Sequence, residues 1–309
     1  MKILILLLLL AGCAPIQPST AYITNQGDNT VSVIDIAQNK VISTIKVGKA
    51  PVGVAVSAKL KRAFITNVDS SNISVIDTIS NKVIETIALQ GTPVGLAMAP
   101  NNKTVYVADW FSDRIVAINM ADYKDRREVI VAKAPAGLVV SPDSKTLYVA
   151  ARDSNEVVAI DTSTMTITKR IAVGTHPFGL SITDNTLYVV NVYENTVSVI
   201  NTTTWAQTKL KVGEHPYCAV ASPDNKTLYV SNTQDDTVSI IDLSTQKTLA
   251  TIDVGMTPEG ISYDEEAKLV LVASWGENKV SVIDATTNKL KGHIKTGDKS
   301  RAFGDFILQ

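Results

Sequence analysis

A histidine and a cysteine stand three positions apart in the stretch EHPYCAV. His215 and Cys218 could be two ligands of a soft metal ion, because imidazole nitrogen and thiolate sulfur both bind zinc and copper. They could also form part of a nucleophilic pair. Few residues are able to complete either site. The histidines and cysteines of the sequence are His176, His215, His293, Cys13 and Cys218.

The remaining sequence offers little support for the common enzyme classes. The 309 residues contain no Gly-x-Ser-x-Gly, His-Glu-x-x-His, P-loop or dinucleotide-binding motif, and no Cys-x-x-Cys or His-x-x-x-His pair. The formal net charge is −1, from 29 basic and 30 acidic residues without a basic block. We therefore expect no binding to nucleic acid, whereas small ligands and proteins stay open as partners.

The N-terminus has a separate character. Lys2 is followed by eight apolar residues, a run too short for a transmembrane helix of about 20 residues. The run ends in Leu-Ala-Gly-Cys, which resembles the lipobox of bacterial lipoproteins at every position. The resemblance implies a signal peptide over residues 1–12, a lipidated Cys13 inserted in the lipid bilayer, and a short tether over residues 13–20. An ordinary secretory signal is the alternative interpretation.

The chain from residue 21 to residue 309 is one pattern written seven times. A large apolar residue opens each repeat, at spacings of 42, 42, 42, 40, 41 and 42 residues: Tyr22, Phe64, Tyr106, Tyr148, Tyr188, Tyr229 and Leu271. Thirteen residues later comes an Asp or Asn, namely Asp35, Asp77, Asn119, Asp161, Asn201, Asp242 and Asp284. We expect these side chains to cap backbone N–H groups of the turn that follows. A proline then recurs in six repeats, and Ser300 takes its place in the seventh.

Seven repeats of about 40 residues with short alternating strands predict an all-β protein, a seven-bladed β-propeller of four-stranded blades. The motifs YITNQGDNTVSVID, FITNVDSSNISVID and YVSNTQDDTVSIID resemble the YVTN β-propeller repeat of bacterial and archaeal surface and periplasmic proteins. The resemblance implies that each Pro-x-Gly segment opens an innermost strand. Residues 301–309 should then form the innermost strand of the blade begun at residue 21, so that the C-terminal strand closes the ring on the N-terminal strands.

One face of such a ring carries the loops that enter the innermost strands and the loops that join the second and third strands. We call it the top face. Its residues vary between repeats and include aromatic side chains and Arg, which are frequent at binding sites. The candidate ligand-binding residues are His176, His215, Phe178, Tyr217, Trp110, Tyr193, Trp275, Glu259 and Arg301. The alternative is that the Trp and Tyr side chains only cap neighbouring blades.

The repeat register predicts where two of the histidines and Cys218 lie relative to one another. His176 and His215 hold the same position in consecutive repeats, so we expect them close together at the mouth of the central pore, with Cys218 near His215. A nitrogen and sulfur site for copper or zinc is one interpretation. Two polar loop residues and a small Cys in a Gly position is the other, and the missing paired motifs favour it. Glu259 and Arg301 also fall in neighbouring blades and could form an ion pair.

Two functions from different classes follow from these observations. The favoured one is a non-catalytic binding or scaffold lipoprotein that uses the top face to hold an envelope protein, a glycan or a peptide, without a cofactor. The alternative is a metal- or quinone-dependent enzyme or redox accessory protein that acts at the pore mouth. The lipobox places either one in the cell envelope. Ala14 resembles the residue that directs lipoproteins to the outer membrane, on its periplasmic side or at the cell surface.

Overall fold

The computed structural model describes residues 19–309, which form 29 strands and one 3₁₀ turn. The signal peptide, Cys13 and most of the tether lie outside the described residues. The strands, in chain order, are β1 (Thr20–Asn25), β2 (Thr30–Asp35), β3 (Lys40–Lys46), β4 (Pro51–Ser57), β5 (Arg62–Asn67), β6 (Asn72–Asp77), β7 (Lys82–Ala88), β8 (Pro93–Met98), β9 (Thr104–Asp109), β10 (Arg114–Asn119), β11 (Asp122–Ile130), β12 (Pro135–Val140), β13 (Thr146–Ala151), β14 (Glu156–Asp161), β15 (Thr166–Ala172), β16 (Pro177–Thr183), β17 (Thr186–Asn191), β18 (Thr196–Asn201), β19 (Gln207–Lys211), β20 (Pro216–Ala221), β21 (Thr227–Asn232), β22 (Thr237–Asp242), β23 (Lys247–Asp253), β24 (Pro258–Asp264), β25 (Leu269–Ser274), β26 (Lys279–Asp284), β27 (Lys289–Lys295), β28 (Phe303–Asp305) and β29 (Ile307–Leu308). The 3₁₀ turn spans Arg152–Ser154.

These strands form seven antiparallel blades, so the predicted seven-bladed propeller is confirmed. Blade 1 has the strand order β29-β1-β2-β3. Blades 2 to 7 each take the next four strands of the chain in order, from β4–β7 to β24–β27. The innermost strands of neighbouring blades contact one another around the central axis. Both faces of each inner sheet are thereby buried, as the apolar sequence of the inner strands requires.

The outer turns of the blades depend on the repeated Asp or Asn, as the sequence predicted. In all seven repeats its side-chain oxygen accepts a backbone N–H from the following turn. In four of them the Oδ1 atom accepts two, namely in Asp161, Asn201, Asp242 and Asp284. In the second strands, a buried Asn plays a different part. Asn191 donates to Thr196 and Ser198 of the next strand and accepts the N–H of Gly174. This side chain therefore joins three segments of one blade.

Neighbouring blades are also joined near the axis by hydroxyl groups. The Thr66 hydroxyl accepts the N–H of Gly53 at 2.8 Å and donates to the carbonyl oxygen of Val94 in the next blade at 2.7 Å. The inner strands approach so closely that a side chain on Gly137 would place its Cβ 2.3 Å from the carbonyl oxygen of Phe178. Glycine therefore recurs two residues after the proline because it permits this contact.

The ring closes on its own C-terminus, also as predicted. Ile307 and Leu308 pair antiparallel with Ala21 and Thr20, and the Tyr22 N–H donates to the carbonyl oxygen of Phe306. The closing segment differs from the single innermost strand that the sequence suggested. The segment is divided at Phe306 into the two short strands β28 and β29. Its first part, β28, contains Gly304 with a φ of 119° and pairs parallel with β4 of blade 2.

The described residues contain no helix long and apolar enough to span a bilayer. The first of them, Ser19, accepts the backbone N–H of Ile36, which follows the second strand of blade 1. The chain thus enters the ring on the face opposite the top face, since β1 leads to a top loop. Of the predicted tether, residues 13–20, the structure describes only the last two residues.

Candidate functional site

The top face carries two concentric sets of seven equivalent positions. The outer set consists of the residue four positions after the large apolar residue that opens each repeat. Each donates its N–H to the carbonyl oxygen of the residue before the proline position, which fixes the loop: Gln26, Val68, Trp110, Arg152, Val192, Thr233 and Trp275. The inner set follows the proline position: Val52, Val94, Ala136, Phe178, Tyr217, Glu259 and Arg301. The repeat register therefore decides which side chains surround the mouth of the ring.

The loop that carries each inner position has an unusual backbone. His176 and His215, which precede their prolines, have φ values of 53° and 49°. Their N–H groups donate to the side-chain oxygens of Asn155 and Asn195 in the preceding blade. Four other blades have the same left-handed residue with Ala, Thr or Lys. The backbone conformation at the two histidines is therefore a property of the turn and not of their chemistry.

A cavity of about 500 Å³ opens at this mouth. Five members of the inner set and six of the outer set line it, together with Thr92, Phe111, Tyr193 and His215. The volume falls within the range of about 300–1,000 Å³ that is usual for small-molecule sites. At its rim, Phe111 is 80% exposed and Tyr193 is 54% exposed, so both rings are free to contact a ligand.

A polar network forms one wall of the cavity, contributed by blades 6, 7 and 1. The Nε of Arg301 donates to Oε2 of Glu259 at 2.5 Å, and its Nη2 donates to Oε1 of Glu259 at 3.2 Å and to the Tyr217 hydroxyl at 2.7 Å. Gln26 extends the network, because its Oε1 accepts from Arg301 Nη1 at 3.3 Å and from Trp275 Nε1 at 3.2 Å. The ion pair that the sequence suggested is therefore present, and it belongs to a larger arrangement.

The network is largely shielded from water. The side chains of Arg301 and Glu259 are 19% and 9% exposed. Burial raises the pKa of the Glu259 carboxyl above its ordinary value, and the Arg301 charge acts against this rise. Burial likewise raises the pKa of Tyr217. The Tyr217 hydroxyl therefore keeps its proton at neutral pH and remains a hydrogen-bond donor.

Aromatic rings form an apolar cluster next to this polar wall. The ring centroid of Phe178 lies 4.3 Å from that of Tyr217, 4.9 Å from that of Phe303 and 5.9 Å from that of Trp110. The three rings are tilted by 40° to 53° relative to that of Phe178, and Phe178, Tyr217 and Trp110 line the cavity. Arg152 lies over the outer side of Trp110, at 5.5 Å from the ring centroid. The guanidinium contributes a cation–π contact that holds the indole in place.

The two histidines lie in neighbouring loops, as the sequence predicted, and both pack against a third side chain. The ring of Tyr193 lies between them, with its centroid 4.3 Å from that of His176 and 5.4 Å from that of His215. Counting repeats places the two loops side by side, but it does not show that a third loop inserts an aromatic ring there. His176 also approaches Asp153, with Nε2 3.7 Å from Oδ1, and it does not line the cavity.

Cys218 has a separate environment from the histidine pair. It is buried in the apolar cluster around Phe178, and its Sγ faces the backbone of Gly179. Burial raises the pKa of its thiol, so the thiol is protonated at neutral pH. Within residues 19–309, no three His, Cys, Asp or Glu side chains are arranged to hold a metal ion. The nitrogen and sulfur ligand set from His176, His215 and Cys218 is therefore not assembled.

Of the other predicted residues, Trp110, Phe178, Tyr193, His215, Tyr217 and Arg301 line the cavity. Glu259 lies behind Arg301, and Trp275 reaches the site through Gln26. The sequence did not lead us to expect two residues at this site, Gln26 and Phe303. Gln26 occupies the same repeat position as Trp110 and Trp275, so the register contained the signal for it. Phe303 carried no such signal, because the closing segment leaves the register where it divides.

Comparisons with known proteins agree with this architecture. Residues 175–282 match the profile of the YNCE-like beta-propeller family. The chain is similar in structure to a hydrazine synthase of Kuenenia stuttgartiensis, at 20% identity over 86% of this chain and 92% of that chain, with a TM-score of 0.79. It is also similar to a functionally unknown protein of Desulfotomaculum acetoxidans, at 14% identity over 92% and 99% of the two chains, with a TM-score of 0.77.

A third similar structure is that of the dihydro-heme d1 dehydrogenase NirN in complex with DHE. The identity is 13% over 94% of this chain and 74% of that chain, with a TM-score of 0.71. No curated protein matches the sequence significantly. At these identities the similar structures bear on the fold alone. The YNCE-like match covers about a third of the chain, and together with the seven four-stranded blades it fits a propeller of the YVTN type, which the repeat motifs resemble.

Proposed function

We propose that the protein is a non-catalytic binding module of the cell envelope and that it captures its ligand in the top-face cavity. One observation carries the proposal: a cavity of about 500 Å³ that combines an aromatic wall with the Tyr217–Arg301–Gln26 network. Such a combination of apolar walls and a few fixed polar groups is typical of ligand sites. The exposed rings of Phe111 and Tyr193 would provide the first contacts at the rim.

The proposal includes the attachment of the chain to a membrane. Acylation of Cys13 would hold the protein on a bilayer, with the outer membrane as the expected location, on its periplasmic side or at the cell surface. Several acyl chains are needed for this, because each buried methylene contributes only about 0.8 kcal/mol. Residues 14–20 span about 23 Å when extended. The cavity opens on the face opposite the tether, so a ligand would reach it from the aqueous side.

The test compares retention of envelope components on three forms of the purified full-length protein. Trp110→Ala removes a wall of the cavity. Trp205→Ala removes the same side chain from a turn on the opposite face, where it packs against Lys169. We expect mass spectrometry to find at least one component that wild type and Trp205→Ala retain and Trp110→Ala loses. Identical retention by all three forms, or no retention by any, would overturn the proposal.

A second candidate, a metal-dependent enzyme or redox accessory protein, has one observation in its favour. The Nδ1 atoms of His176 and His215 are both buried without a hydrogen-bond partner among the described residues. Two of the structurally similar proteins are a synthase and a dehydrogenase, so propellers of this shape occur in enzymes. Metal analysis of the purified protein tests this candidate. It requires stoichiometric metal that a His176→Ala, His215→Ala double variant loses, and fails if the wild type contains none.

A further inference from the structure

The polar side chains of the cavity leave several hydrogen-bond donors unused. The Tyr217 hydroxyl accepts from Arg301, but its own O–H finds no acceptor within residues 19–309. Of the five N–H groups of Arg301, four are directed to Glu259, Tyr217 and Gln26, which leaves one on Nη1. All three of Tyr217, Arg301 and Gln26 line the cavity. A ligand atom placed there would meet donors from two blades.

The network also fixes the direction of the Gln26 amide. Its oxygen accepts from two donors, Trp275 Nε1 and Arg301 Nη1, so the opposite end of the amide must be the NH₂ group. That NH₂ group has no hydrogen-bond partner among the described residues. Gln26 therefore adds two further N–H donors to the same wall. A ligand that covers this wall must supply hydrogen-bond acceptors, because a donor that is sealed from water without a partner costs about 1–3 kcal/mol.

The charges of the lining argue for a ligand without net charge. The two guanidinium groups that line the cavity are each paired with a carboxylate, Arg301 with Glu259 and Arg152 with Asp153. No carboxylate itself lines the cavity, so a cationic ligand finds no partner. An anion would have to compete with Glu259 or Asp153 for the guanidinium groups. A neutral acceptor, such as a carbonyl oxygen, makes the same hydrogen bonds without disturbing either pair.

The apolar surface defines the body of the ligand. The rings of Phe178, Trp110 and Tyr217 line the cavity next to the donors. Aromatic rings pack favourably against other ring systems in offset or tilted arrangements. We propose that the cavity binds an uncharged ring compound that carries conjugated carbonyl groups, of the quinone or aromatic ketone class, with one carbonyl oxygen held by Tyr217, Gln26 and Arg301. This inference rests on the proposed function, because it names the ligand class of the same site.

The probe is 2,3-dimethyl-1,4-naphthoquinone, whose ring positions are blocked against addition of thiols. Equilibrium dialysis against the purified full-length protein measures its Kd. Three related compounds test each part of the inference. 2,3-Dimethylnaphthalene lacks the carbonyl groups, and 1-naphthoate is an anion. The reduced naphthalenediol, kept under anaerobic conditions, carries hydroxyl groups whose protons face the donors of the wall. We expect the quinone to bind at least about tenfold more tightly than each of them, which corresponds to 1.4 kcal/mol.

Two variants test the donors without removing the cavity. Gln26→Glu keeps an oxygen for Trp275 and Arg301 but replaces the free NH₂ group by a second acceptor, so the melting temperature should hold while quinone affinity falls about tenfold or more. Tyr217→Phe keeps the ring and removes the O–H, and should weaken quinone binding similarly. Tyr263→Phe makes the same change outside the cavity lining and should bind the quinone as the wild type does.

Three results would overturn the inference. They are equal affinity of the hydrocarbon and the quinone, tighter binding of 1-naphthoate than of the quinone, and unchanged quinone affinity in both Gln26→Glu and Tyr217→Phe. If the quinone fails to bind while Trp110→Ala still abolishes retention of an envelope component, only the ligand class is wrong. If the quinone fails to bind and the wild type retains no envelope component that Trp110→Ala loses, the binding function itself is wrong.

Discussion

The Arg301 guanidinium and the Glu259 carboxylate form a two-point ion pair across the seam at which the ring closes. Arg301 belongs to the C-terminal segment that completes blade 1, and Glu259 opens the inner strand of blade 7. The distances are 2.5 Å from Nε to Oε2 and 3.2 Å from Nη2 to Oε1. The side chains that line the cavity therefore also connect the last blade to the first, and the site depends on closure.

Arg301→Met should destabilise the protein strongly. The substitution leaves the Glu259 carboxylate shielded from water without its partner, and breaking a buried pair on one side costs about 3 kcal/mol or more. We expect urea unfolding at pH 7 to show a loss of about this size. The double variant Arg301→Met, Glu259→Leu removes both charges and should lose less than the single variant. A single variant as stable as the wild type would contradict this interpretation.

The Arg301→Met deficit should also depend on pH. Burial raises the pKa of Glu259 above its ordinary value of 4.5, and Arg301 opposes the rise, so its removal raises the pKa further. A carboxyl with a raised pKa in the folded state favours folding below its unfolded value, and this contribution is lost as the pH rises through the folded value. The stability deficit should therefore be smaller at pH 5 than at pH 7. In an Arg301→Met, Glu259→Gln variant this dependence should disappear.

The turn aspartates should govern the acid sensitivity of the outer blade edges. Hydrogen bonds from the following turn lower the pKa of both Asp161 and Asp284 to about 2. Their contribution to stability is present above the ordinary value of 3.8 and is lost as the pH falls toward 2. The variant Asp161→Asn, Asp284→Asn keeps an accepting oxygen, as Asn119 and Asn201 do naturally. Its melting temperature should fall less between pH 4 and pH 2 than that of the wild type, and an identical fall would contradict the assignment.

Removal of residues 300–309 should unseat blade 1. The deletion exposes the edge of β1 and removes the buried side chains of Phe303, Phe306 and Ile307. Each contributes about 1.5–3 kcal/mol of burial, so calorimetry should show a melting temperature lower by more than about 10 °C. Deletion of Gln309 alone, which is exposed, serves as the control and should have little effect. An unchanged melting curve for the long deletion would rule out this form of closure.

The membrane anchor should depend on Cys13 alone. Cys13→Ser removes the thiol that the lipobox assigns to acylation, so the protein should leave the membrane fraction and no longer incorporate labelled palmitate. Cys218→Ser is the matched control, because it removes the other cysteine of the chain. It should remain in the membrane fraction. If Cys13→Ser stays membrane-bound and labelled, the lipoprotein interpretation is wrong.

The repeat register predicted the fold because every blade repeats the same local requirements. An alternating strand, an Asp or Asn that caps the next turn and a Gly that permits close approach of inner strands all depend on neighbours in the sequence or on the identical position in the next blade. Counting 42 residues from Phe64 to Tyr106 therefore sufficed to place both in equivalent strands. For the strands, the register failed where the repeat itself ends, in the closing segment of residues 301–309.

The sequence predicted most of the residues of the candidate site, but fewer of the contacts between them. Counting repeats placed Tyr217, Glu259 and Arg301 on consecutive inner positions, and the ion pair follows from that. The same counting put His176 near His215, and both rings pack against Tyr193, a contact that counting repeats did not predict. A repeat position fixes the Cα around the ring, but the direction of a side chain depends on the packing of its neighbours.

The stretch EHPYCAV illustrates which features the repeat pattern predicts and which depend on packing in the folded ring. The periodic pattern is enough to predict that Pro216 opens an inner strand and that His215 and Cys218 lie on either side of it. That the His215 ring turns toward Tyr193, while the Cys218 thiol is buried beside Gly179, depends on packing in the folded ring. The same packing decides that the Tyr217 hydroxyl meets an arginine 84 residues away. The repeat pattern depends on residues that are near in sequence, whereas the contacts of His215, Tyr217 and Cys218 form only when seven blades have closed into a ring.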